Sequence, residues 1–389
     1  MHIPFNKPYF GPREAFATLG VALSGQFSGN GKYTQRCQTF FEKRFHFAKT
    51  LLTTSCSDAL EMAAILSEVG PGDEVIMPSF TFPSTANAFL LRGAKIVFAD
   101  TLPDIPNIDP KAIENLITPK TRAIVVVHYC GISCDMEAIQ QLANKYGLLL
   151  IEDAAHSIDS YYKGKPLGSF GHLAAFSFHE TKNIISGEGG LLVVNDEQFT
   201  KRAEIIWEKG TNRAAFQRKE VNRYEWVDIG SSFLPAEMVA AFLYAQLSKF
   251  DRIQKLRKKV WLSYYEYLKP LEEKGFLQLP IVPEYASVNG NFFYIAVKDG
   301  YTRDELLRYL QSRGIHAVFH YLPLHQSPFF TFRHDGRALP HTEKFSSTII
   351  RLPFYPRLSK RKIKFVCNAI SSFFESPQAY PVMVDHQMK

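Results

Sequence analysis

The stretch LLLIEDAAHSIDSYYKGKPLGSFGHLAAFSFHETKNIISGEGG, residues 148–190, decides the fold of this chain. It opens with an almost wholly apolar run that ends at Asp153, and a second apolar run leads to Lys182, just before the glycine-rich SGEGG. Nearly unbroken apolar runs are typical of strands that helices cover on both faces. Because ligands of such sheets lie beyond the carboxyl ends of the strands, Asp153 stands where a ligand is expected.

Similar runs precede this stretch, with helix-period segments between them. They are EVIMPS at 74–79, KIVFAD at 95–100 and RAIVVVH at 122–128, the last of which ends at His128. This alternation over residues 50–195 is the rhythm of βαβ units, which build a mostly parallel sheet. We therefore predict an α/β fold whose large domain is a mostly parallel sheet sandwiched by helices.

A smaller α/β domain is predicted after this sheet. Residues 235–272 favour a long helix that would join the two domains. The strand-like FFYIAV at 292–297, the helix-period TRDELLRYLQSRG at 302–314 and the run IHAVFHYLP at 315–323 then indicate a compact C-terminal unit. The predicted divisions are 1–250 for the large domain, 251–375 for the small domain and 376–389 for a loose tail.

The composition is that of an ordinary globular protein, with 46% hydrophobic and 21% charged residues in a chain of 389. That length exceeds the size at which a single hydrophobic core usually stops growing, which agrees with two domains. No apolar stretch reaches the roughly 18 residues of a membrane span, and the N-terminal segment lacks the basic and apolar pattern of a signal peptide. A cytoplasmic enzyme without a membrane partner is expected.

The five cysteines are scattered and odd in number, which argues against a disulfide framework. Cys130 and Cys134 have neither a second pair nearby nor the usual zinc-finger spacing, so no metal site is predicted. The formal charge of +7 is spread along the chain without a dense basic block. Nucleic acid is therefore not an expected partner, whereas a phosphorylated small molecule is compatible with the charge.

The residues at these strand ends suit pyridoxal-phosphate chemistry. An enzyme that uses this cofactor needs a lysine to form a Schiff base, a carboxylate to keep the pyridine nitrogen protonated, a cup for the phosphate and a group against the ring. Lys182 and Asp153 stand in suitable places for the first two roles. Taken singly, each has a plainer interpretation, as a surface lysine and as a solvated acidic pair with Glu152. Their joint occurrence favours the cofactor site.

The predicted phosphate cup is the segment LLTTSCSDALEMAA at 51–64, where small polar residues lead into a series of strong helix formers. Helix N-termini bind anions. Ser55 and Asp58 also fit an S-x-x-D capping box, so the segment is compatible both with an anion site and with a capped helix.

Further cofactor contacts are predicted one by one. The Ser177 hydroxyl is placed to bind the same phosphate, Phe82 to stack on the ring face, and His156 to touch the ring hydroxyl. Each of these residues also has a plainer interpretation. Ser177 is then an ordinary serine, Phe82 a core aromatic and His156 a structural histidine.

Together these motifs resemble the DegT/StrS family of sugar-nucleotide aminotransferases, from about residue 3 to residue 370. The motifs are PSFTFPSTANAFLLRGAKIVFAD, VVVHYCGISCDMEAI, the part of the quoted stretch from IED onward, HYLPLHQSP and RLPFYP. The resemblance implies the type I fold of pyridoxal-phosphate enzymes. It also implies that Lys182 is the Schiff-base lysine, that Asp153 pairs with the pyridine nitrogen, and that His156 and Phe82 contact the cofactor.

By the same resemblance, Cys56, Ser57 and Ser177 lie at the cofactor phosphate. The family builds each active site at a homodimer interface, where a G-Y-N-Y-R-M motif usually sends an asparagine to the partner's phosphate. Here the aligned segment reads GSSFLP, with Ser232 in that place. A serine hydroxyl reaches less far than a carboxamide, so this contact differs from the family pattern. A homodimer with a shared site is expected.

Within the family, the segments WEKGTNR, DIGSS and AVFHYLPLH resemble those of enzymes that aminate a nucleotide-linked keto sugar. This resemblance implies the substrates. They are glutamate as amino donor and the 4-keto carbon of dTDP-4-dehydro-6-deoxyglucose as acceptor, with a galacto-configured amine for surface polysaccharide biosynthesis. The residues implied to bind substrate are Arg213, His320, Tyr321 and His325.

Other functions on the same fold stay open. They are a sugar aminotransferase of another position or stereochemistry, a sugar dehydratase, and a catalytically silent regulator that binds cofactor or sugar nucleotide. The dehydratases of the family replace the lysine with histidine, so Lys182 favours the aminotransferase.

Overall fold

The computed structural model describes residues 1–375, so the predicted tail at 376–389 lies outside the described residues. The α-helices are α1 Pro12–Ser24, α2 Lys32–Phe45, α3 Cys56–Leu66, α4 Pro83–Leu90, α5 Pro110–Glu114, α6 Met136–Tyr146, α7 Thr200–Trp207, α8 Arg213–Gln217, α9 Glu237–Leu247, α10 Phe250–Glu273, α11 Gly300–Ser312, α12 Pro340–Thr348 and α13 Lys360–Glu375. The strands are β1 Lys49–Thr53, β2 Glu74–Pro78, β3 Lys95–Ala99, β4 Thr121–Val127, β5 Leu149–Asp153, β6 Tyr161–Tyr162, β7 Lys165–Pro166, β8 Leu173–Ser177, β9 Gly190–Val194, β10 Tyr294–Ala296, β11 Val318–Phe319 and β12 Ile349–Arg351.

The large sheet contains seven strands in the order β1-β9-β8-β5-β4-β2-β3. Neighbours from β8 to β3 run parallel, and β9 is antiparallel to both β1 and β8. The apolar runs quoted above form β2, β3, β4 and β5, so the mostly parallel sheet is confirmed. These runs were readable because a strand that is buried on both faces carries few polar interruptions.

Helices cover both faces of this sheet, as two successive residues of β5 show. Leu150 is buried in a core with Ile139 and Ala143 of α6. Ile151 is buried in a different core with Ala63 of α3. Successive side chains of a strand point to opposite faces, so both faces are apolar and both are covered. The predicted sandwich is confirmed.

The C-terminal unit is built on an antiparallel sheet in the order β10-β12-β11. Its core contains Trp261 of α10, Leu306 of α11 and Ile370 of α13. Ile3 is buried in the same core and forms a backbone bridge with Ile315. The first residues of the chain therefore pack with the C-terminal unit, while the domain boundary near residue 250 stays a prediction.

Residues 235–272 form the two helices α9 and α10 instead of one long helix, which corrects the expectation. The break falls at Ser248, whose hydroxyl donates to the Ala245 carbonyl at 2.7 Å. Lys249 then leaves the helical conformation, with φ −119° and ψ 15°. A side chain that satisfies a last-turn carbonyl lets the helix end there. Within residues 1–375, no helix is both long and apolar enough to cross a membrane.

Candidate active site

A cavity of about 530 Å³ opens at the carboxyl ends of the parallel strands. It is lined by Val127 at the end of β4, Asp153 at the end of β5 and Ser177 at the end of β8. The register explains this arrangement, since Val127 lies beside Asp153 and Asp153 lies beside Ala175. Strands that end at the same level put their last side chains at one edge of the sheet.

Asp153 is a buried carboxylate held by neighbouring donors. The Thr85 hydroxyl donates to its Oδ2 at 2.6 Å, and the Ala155 N–H donates to its Oδ1 at 3.2 Å. Because Thr85 uses its proton on Asp153, the Thr81 hydroxyl at 2.8 Å must donate to Thr85. Burial raises the pKa of Asp153, while Thr85, Ala155 and the charge of Lys182 act in the opposite direction. The site thus contains an acceptor whose orientation is fixed.

Lys182 follows β8 in a turn where its N–H donates to the His179 carbonyl at 2.9 Å. The side chain is half-buried and lines the cavity. Its amine has no hydrogen-bond or ion-pair partner within residues 1–375. Burial, together with the charge of Arg351, lowers the pKa of Lys182 to about 8, although Cys56 and Asp153 oppose the shift. A substantial share of the amine is therefore neutral, and hence nucleophilic, near neutral pH.

The N-terminus of α3 forms the anion-binding end of the cavity. Ser55 caps this helix by accepting from the Asp58 N–H at 3.0 Å, so the capped helix is confirmed, whereas the Asp58 carboxylate accepts from the Thr54 hydroxyl and does not complete a capping box. The same turn faces the cavity with Ser55, Cys56 and Ser57, and the Ser57 hydroxyl lies 2.7 Å from that of Ser84. Unpaired helix N–H groups and small hydroxyls at one point suit a phosphate. Capping and anion binding are thus compatible in this segment.

Gly190 allows β9 to lie against the start of α3. A Cβ at this position would collide with the Ser55 carbonyl oxygen and crowd the Cys56 nitrogen. Only glycine permits such a close approach of two backbone segments. The glycine-rich SGEGG therefore shapes the anion-binding turn as well as the turn that carries Lys182.

His156 lines the cavity and has a ring nitrogen without a hydrogen-bond partner in the described part of the chain. It is buried, and its Nδ1 has no partner within residues 1–375. Burial, reinforced by the charges of Lys182 and Arg351, lowers the pKa of His156 well below its usual range. The neutral ring therefore has a nitrogen that is available for a hydrogen bond. A buried polar atom without a partner beside a cavity indicates a ligand.

Phe82 lies at the mouth of the cavity with 58% of its surface exposed. Its ring centroid is 6.4 Å from that of Tyr321, at 52° between the planes. Phe80, two residues earlier, is instead fully buried in the C-terminal core. An exposed aromatic face beside a cavity suits a flat ligand ring, whereas the buried one serves packing.

The C-terminal unit supplies another wall, through His320, Tyr321, Arg351 and Asn291. His320 Nε2 lies 3.2 Å from Arg351 Nη1, and its Nδ1 lies 3.0 Å from the Tyr129 hydroxyl. Since an arginine only donates, Nε2 accepts and the proton of the neutral ring sits on Nδ1. Burial and the charge of Arg351 lower the pKa of His320, in agreement with a neutral ring.

Most of the predicted site residues meet in this cavity. They are Lys182, Asp153, Cys56, Ser57, Phe82, His156, Ser177, His320 and Tyr321. Residues that line or support the cavity but were missed from the sequence are Thr85, Arg351 and Asn291. Thr85 lies inside the quoted motif PSFTFPSTANAFLLRGAKIVFAD, Asn291 directly precedes FFYIAV and Arg351 opens RLPFYP, but no role was predicted for any of the three.

Some of the predicted residues lie outside the cavity of the single chain. Arg213 is exposed and lies 3.5 Å from Glu208, and Ser232 is exposed. His325 is buried, with its Nδ1 2.8 Å from the Ser79 hydroxyl and its Nε2 3.3 Å from Glu343. Arg213 and Ser232 are thus accessible to a second chain, while His325 has both ring nitrogens engaged.

Residues 12–371 match the model of the DegT/DnrJ/EryC1/StrS aminotransferase family. The chain belongs to this family. It is 33% identical over 386 residues to the spore coat polysaccharide biosynthesis protein SpsC of Bacillus subtilis (strain 168). The matched region covers 95% of this chain and 96% of that protein.

Solved structures agree with this assignment. An aminotransferase from Psychrobacter cryohalolentis has a TM-score of 0.90 at 28% identity, covering 95% of this chain and 99% of its own. Helicobacter pylori PseC, an aminotransferase involved in the biosynthesis of pseudoaminic acid, has a TM-score of 0.89 at 26% identity, covering 97% of this chain and all of its own. The chain is therefore a sugar aminotransferase with the type I fold, as the sequence resemblance implied.

Pyridoxal phosphate is the cofactor of the aminotransferase family to which this chain belongs. The residues present fit it, since the cavity offers an unpartnered lysine amine, an unpartnered buried nitrogen on His156 and a helix N-terminus with small hydroxyls. When bound, the cofactor withdraws electrons from the carbon that carries the amino group.

Proposed function

We propose that this enzyme transfers an amino group from glutamate to carbon 4 of dTDP-4-dehydro-6-deoxyglucose, giving dTDP-4-amino-4,6-dideoxygalactose for surface polysaccharide biosynthesis. The observation that carries the chemistry is the unpartnered Lys182 amine in the same cavity as the buried Asp153 carboxylate. The choice of sugar is supported by the resemblance in KGTNR, DIGSS and FHYLPLH. The printed name of SpsC supports a polysaccharide setting.

In this proposal Lys182 holds the cofactor covalently and afterwards moves a proton between the donor carbon and the cofactor. A pKa of about 8 suits that role, because the amine both accepts and returns a proton near neutral pH. Asp153, aimed by Thr85, keeps a proton on the pyridine nitrogen.

The remaining cofactor contacts follow from position. Cys56 and Ser57 at the start of α3, with Ser177 at the end of β8, bind the phosphate. His156 offers its free Nδ1 to a polar atom of the ring, and Phe82 covers a ring face. Of these groups, His156 Nδ1 has no partner within residues 1–375, whereas the Ser57 hydroxyl lies 2.7 Å from that of Ser84 and the Ser177 hydroxyl accepts from the His179 N–H at 3.4 Å.

The substrate residues divide between two chains. His320 and Tyr321 reach the sugar from the C-terminal wall of the same chain. Arg213, exposed outside the cavity, binds substrate at the site of a partner subunit, and the exposed Ser232 contacts the cofactor phosphate there. His325, with both ring nitrogens engaged, acts by holding the segment that carries Tyr321.

A homodimer is part of the proposal, and an exposed apolar stripe on α1 supports it. Phe16, Leu19 and Leu23 are 70%, 51% and 80% exposed and lie on one face of the helix. Trp226, near Ser232, is also 80% exposed. Contiguous exposed apolar surface of this kind marks interaction sites. A cytoplasmic location stays a prediction.

The test is incubation of the purified enzyme with glutamate and a panel of nucleotide-linked keto sugars, followed by NMR of the product. An axial amine at carbon 4 of a dTDP-linked 6-deoxy sugar is expected. An equatorial amine would overturn the galacto configuration, and amination at carbon 3 would overturn the substrate. Bound cofactor without turnover of any sugar would favour the regulator, and loss of a hydroxyl without amination would favour the dehydratase. The matched control is Lys182→Ala, which should give no product.

A further inference from the structure

Arg351 places an unpaired guanidinium in the cavity. The residue ends β12 and lines the site. Its Nη1 donates to His320, its Nε is buried without a partner, and no carboxylate of residues 1–375 pairs with it. Arg351 is half-buried, and it differs in this from the fully buried Arg257, which donates to the backbone carbonyls of Gly290 and Asn291.

An unpaired charge in this place needs compensation. Burial lowers the pKa of Arg351, which shows that the surroundings disfavour its charged form. The Phe292 ring at 4.0 Å and the Phe5 ring at 4.9 Å offer only partial relief through their π-faces. A buried charge normally has an opposite charge as partner, so the cavity is built to receive an anion at Arg351.

The position of Arg351 indicates which of the anionic groups that enter the cavity it binds. The phosphate end is formed by α3 on the large sheet, whereas Arg351 belongs to the C-terminal sheet. Its charge acts on Lys182 and His156, lowering the pKa of both. An α-amino acid carries its carboxylate one bond from the carbon that reacts at Lys182, while the diphosphate of a nucleotide sugar is separated from its keto carbon by the sugar ring. An anion site close to Lys182 therefore suits the amino acid.

We propose that Arg351 binds the α-carboxylate of the amino donor, an inference that rests on the proposed function and names its donor site. The planar guanidinium matches a carboxylate with two parallel hydrogen bonds. His320 is a positioning residue, because its Nε2 accepts from Nη1 and leaves Nε and Nη2 without a hydrogen-bond partner within residues 1–375. The Tyr129 hydroxyl fixes the tautomer that makes this possible.

The test uses the holoenzyme and the first half of the reaction, in which glutamate converts the cofactor to its amine form without any sugar present. Arg351→Gln should weaken binding of α-methylglutamate, which cannot lose an α-proton, by about 10- to 100-fold in an absorbance titration. Isoglutamine, whose α-carboxylate is an amide, should be a poor donor for the unaltered enzyme. The preference for glutamate over isoglutamine should fall by a similar factor in Arg351→Gln.

Several controls separate this role from a structural one. Arg351→Lys keeps the positive charge but cannot form two parallel hydrogen bonds to a carboxylate. Its affinity for α-methylglutamate should therefore lie between those of the unaltered enzyme and Arg351→Gln. Arg308→Gln removes an exposed arginine paired with Glu305 on α11 and should change nothing. The dissociation constant of dTDP should stay within about twofold in all variants, since the diphosphate lies elsewhere.

Each outcome has a definite meaning. Unchanged binding of α-methylglutamate by Arg351→Gln, or an unchanged preference over isoglutamine, overturns the inference alone. Loss of dTDP affinity instead assigns Arg351 to the diphosphate and also overturns it. If the unaltered enzyme uses glutamate but aminates a different sugar, the proposed substrate fails and the Arg351 assignment stands. If it reacts with no α-amino acid, both fail.

Discussion

Replacing Thr85 by valine tests how the enzyme controls its cofactor. Thr85 and valine have the same shape, so the substitution removes one hydroxyl and leaves the packing of α4 in place. In the native structure this hydroxyl donates to Asp153 at 2.6 Å and accepts from Thr81. Removing a donor to a carboxylate disfavours its charged form and raises its pKa. Burial already raises the pKa of Asp153, so the loss of Thr85 adds to an existing shift.

The size of the effect follows from the charge of the acceptor. A hydrogen bond to a charged group contributes about 1.5–3 kcal/mol, which corresponds to roughly one to two pKa units for Asp153. A more basic carboxylate competes better for the proton of the pyridine nitrogen. The glutamate half-reaction should then slow by about 10- to 100-fold in Thr85→Val, because a neutral pyridine ring is a weaker electron acceptor.

Stopped-flow absorbance of the half-reaction measures this rate directly. The matched control is Thr118→Val, which removes a donor to Glu74 with the same 2.6 Å length far from the cavity and should leave the rate unchanged. Asp153→Asn should be slower than Thr85→Val, and the double variant should be no slower than Asp153→Asn, because the threonine acts only through the carboxylate. A normal rate in Thr85→Val, or full additivity in the double variant, would refute the reasoning.

Other consequences can be checked separately. Borohydride reduction should fix the cofactor on the peptide that contains Lys182, and Lys182→Ala should fold, bind cofactor reversibly and show no turnover; a label on another lysine would remove Lys182 from its role. Covalent capture of pyridoxal phosphate by the apoenzyme should accelerate with rising pH and level off above about pH 8, where Lys182 has lost its proton; a rise that continues to roughly pH 10, as for an unperturbed lysine, would contradict the lowered pKa. Leu23→Glu should place a charge in the exposed stripe of α1, shift light scattering from dimer to monomer and reduce turnover at low protein concentration; an unchanged dimer would show that α1 lies outside the interface.

The sheet was predictable because its physics is local. A strand that is covered on both faces is mostly apolar, so β2 to β5 were visible as runs of three or more apolar residues. The break between α9 and α10 was not visible, since Ser248 ends the helix by a hydrogen bond to Ala245 that no periodicity reports. The run IHAVFHYLP gave only the two-residue β11, and the irregular chain that follows it brings His320 and Tyr321 to the cavity.

The site was predictable where a residue ends a strand or begins a helix. Asp153 and Lys182 were proposed from their places after apolar runs, and the segment at the start of α3 was proposed as a phosphate cup, whereas Ser57 itself was named from the family resemblance. Thr85 was missed because its partner Asp153 is 68 residues away, and a threonine inside a helix has no signature of its own. Arg351 was missed for a related reason, since nothing in IIRLP shows that β12 ends at a cavity made by other strands.

Residues that contact the cofactor and residues of the C-terminal wall also differ in what they determine. The cofactor is expected at the ends of β5 and β8 and at the start of α3. The wall on the other side of the cavity contains His320, Tyr321 and Arg351, which belong to the C-terminal unit. The core of that unit also contains Phe80 and Tyr129 from the large domain, whereas β4, β5 and β8 are buried in other cores, so side chains at the ends of β11 and β12 can change while those strands stay packed. Donor and sugar preference should therefore follow the C-terminal wall, while a substitution there leaves cofactor binding intact. This separation is why cofactor motifs alone cannot specify the sugar.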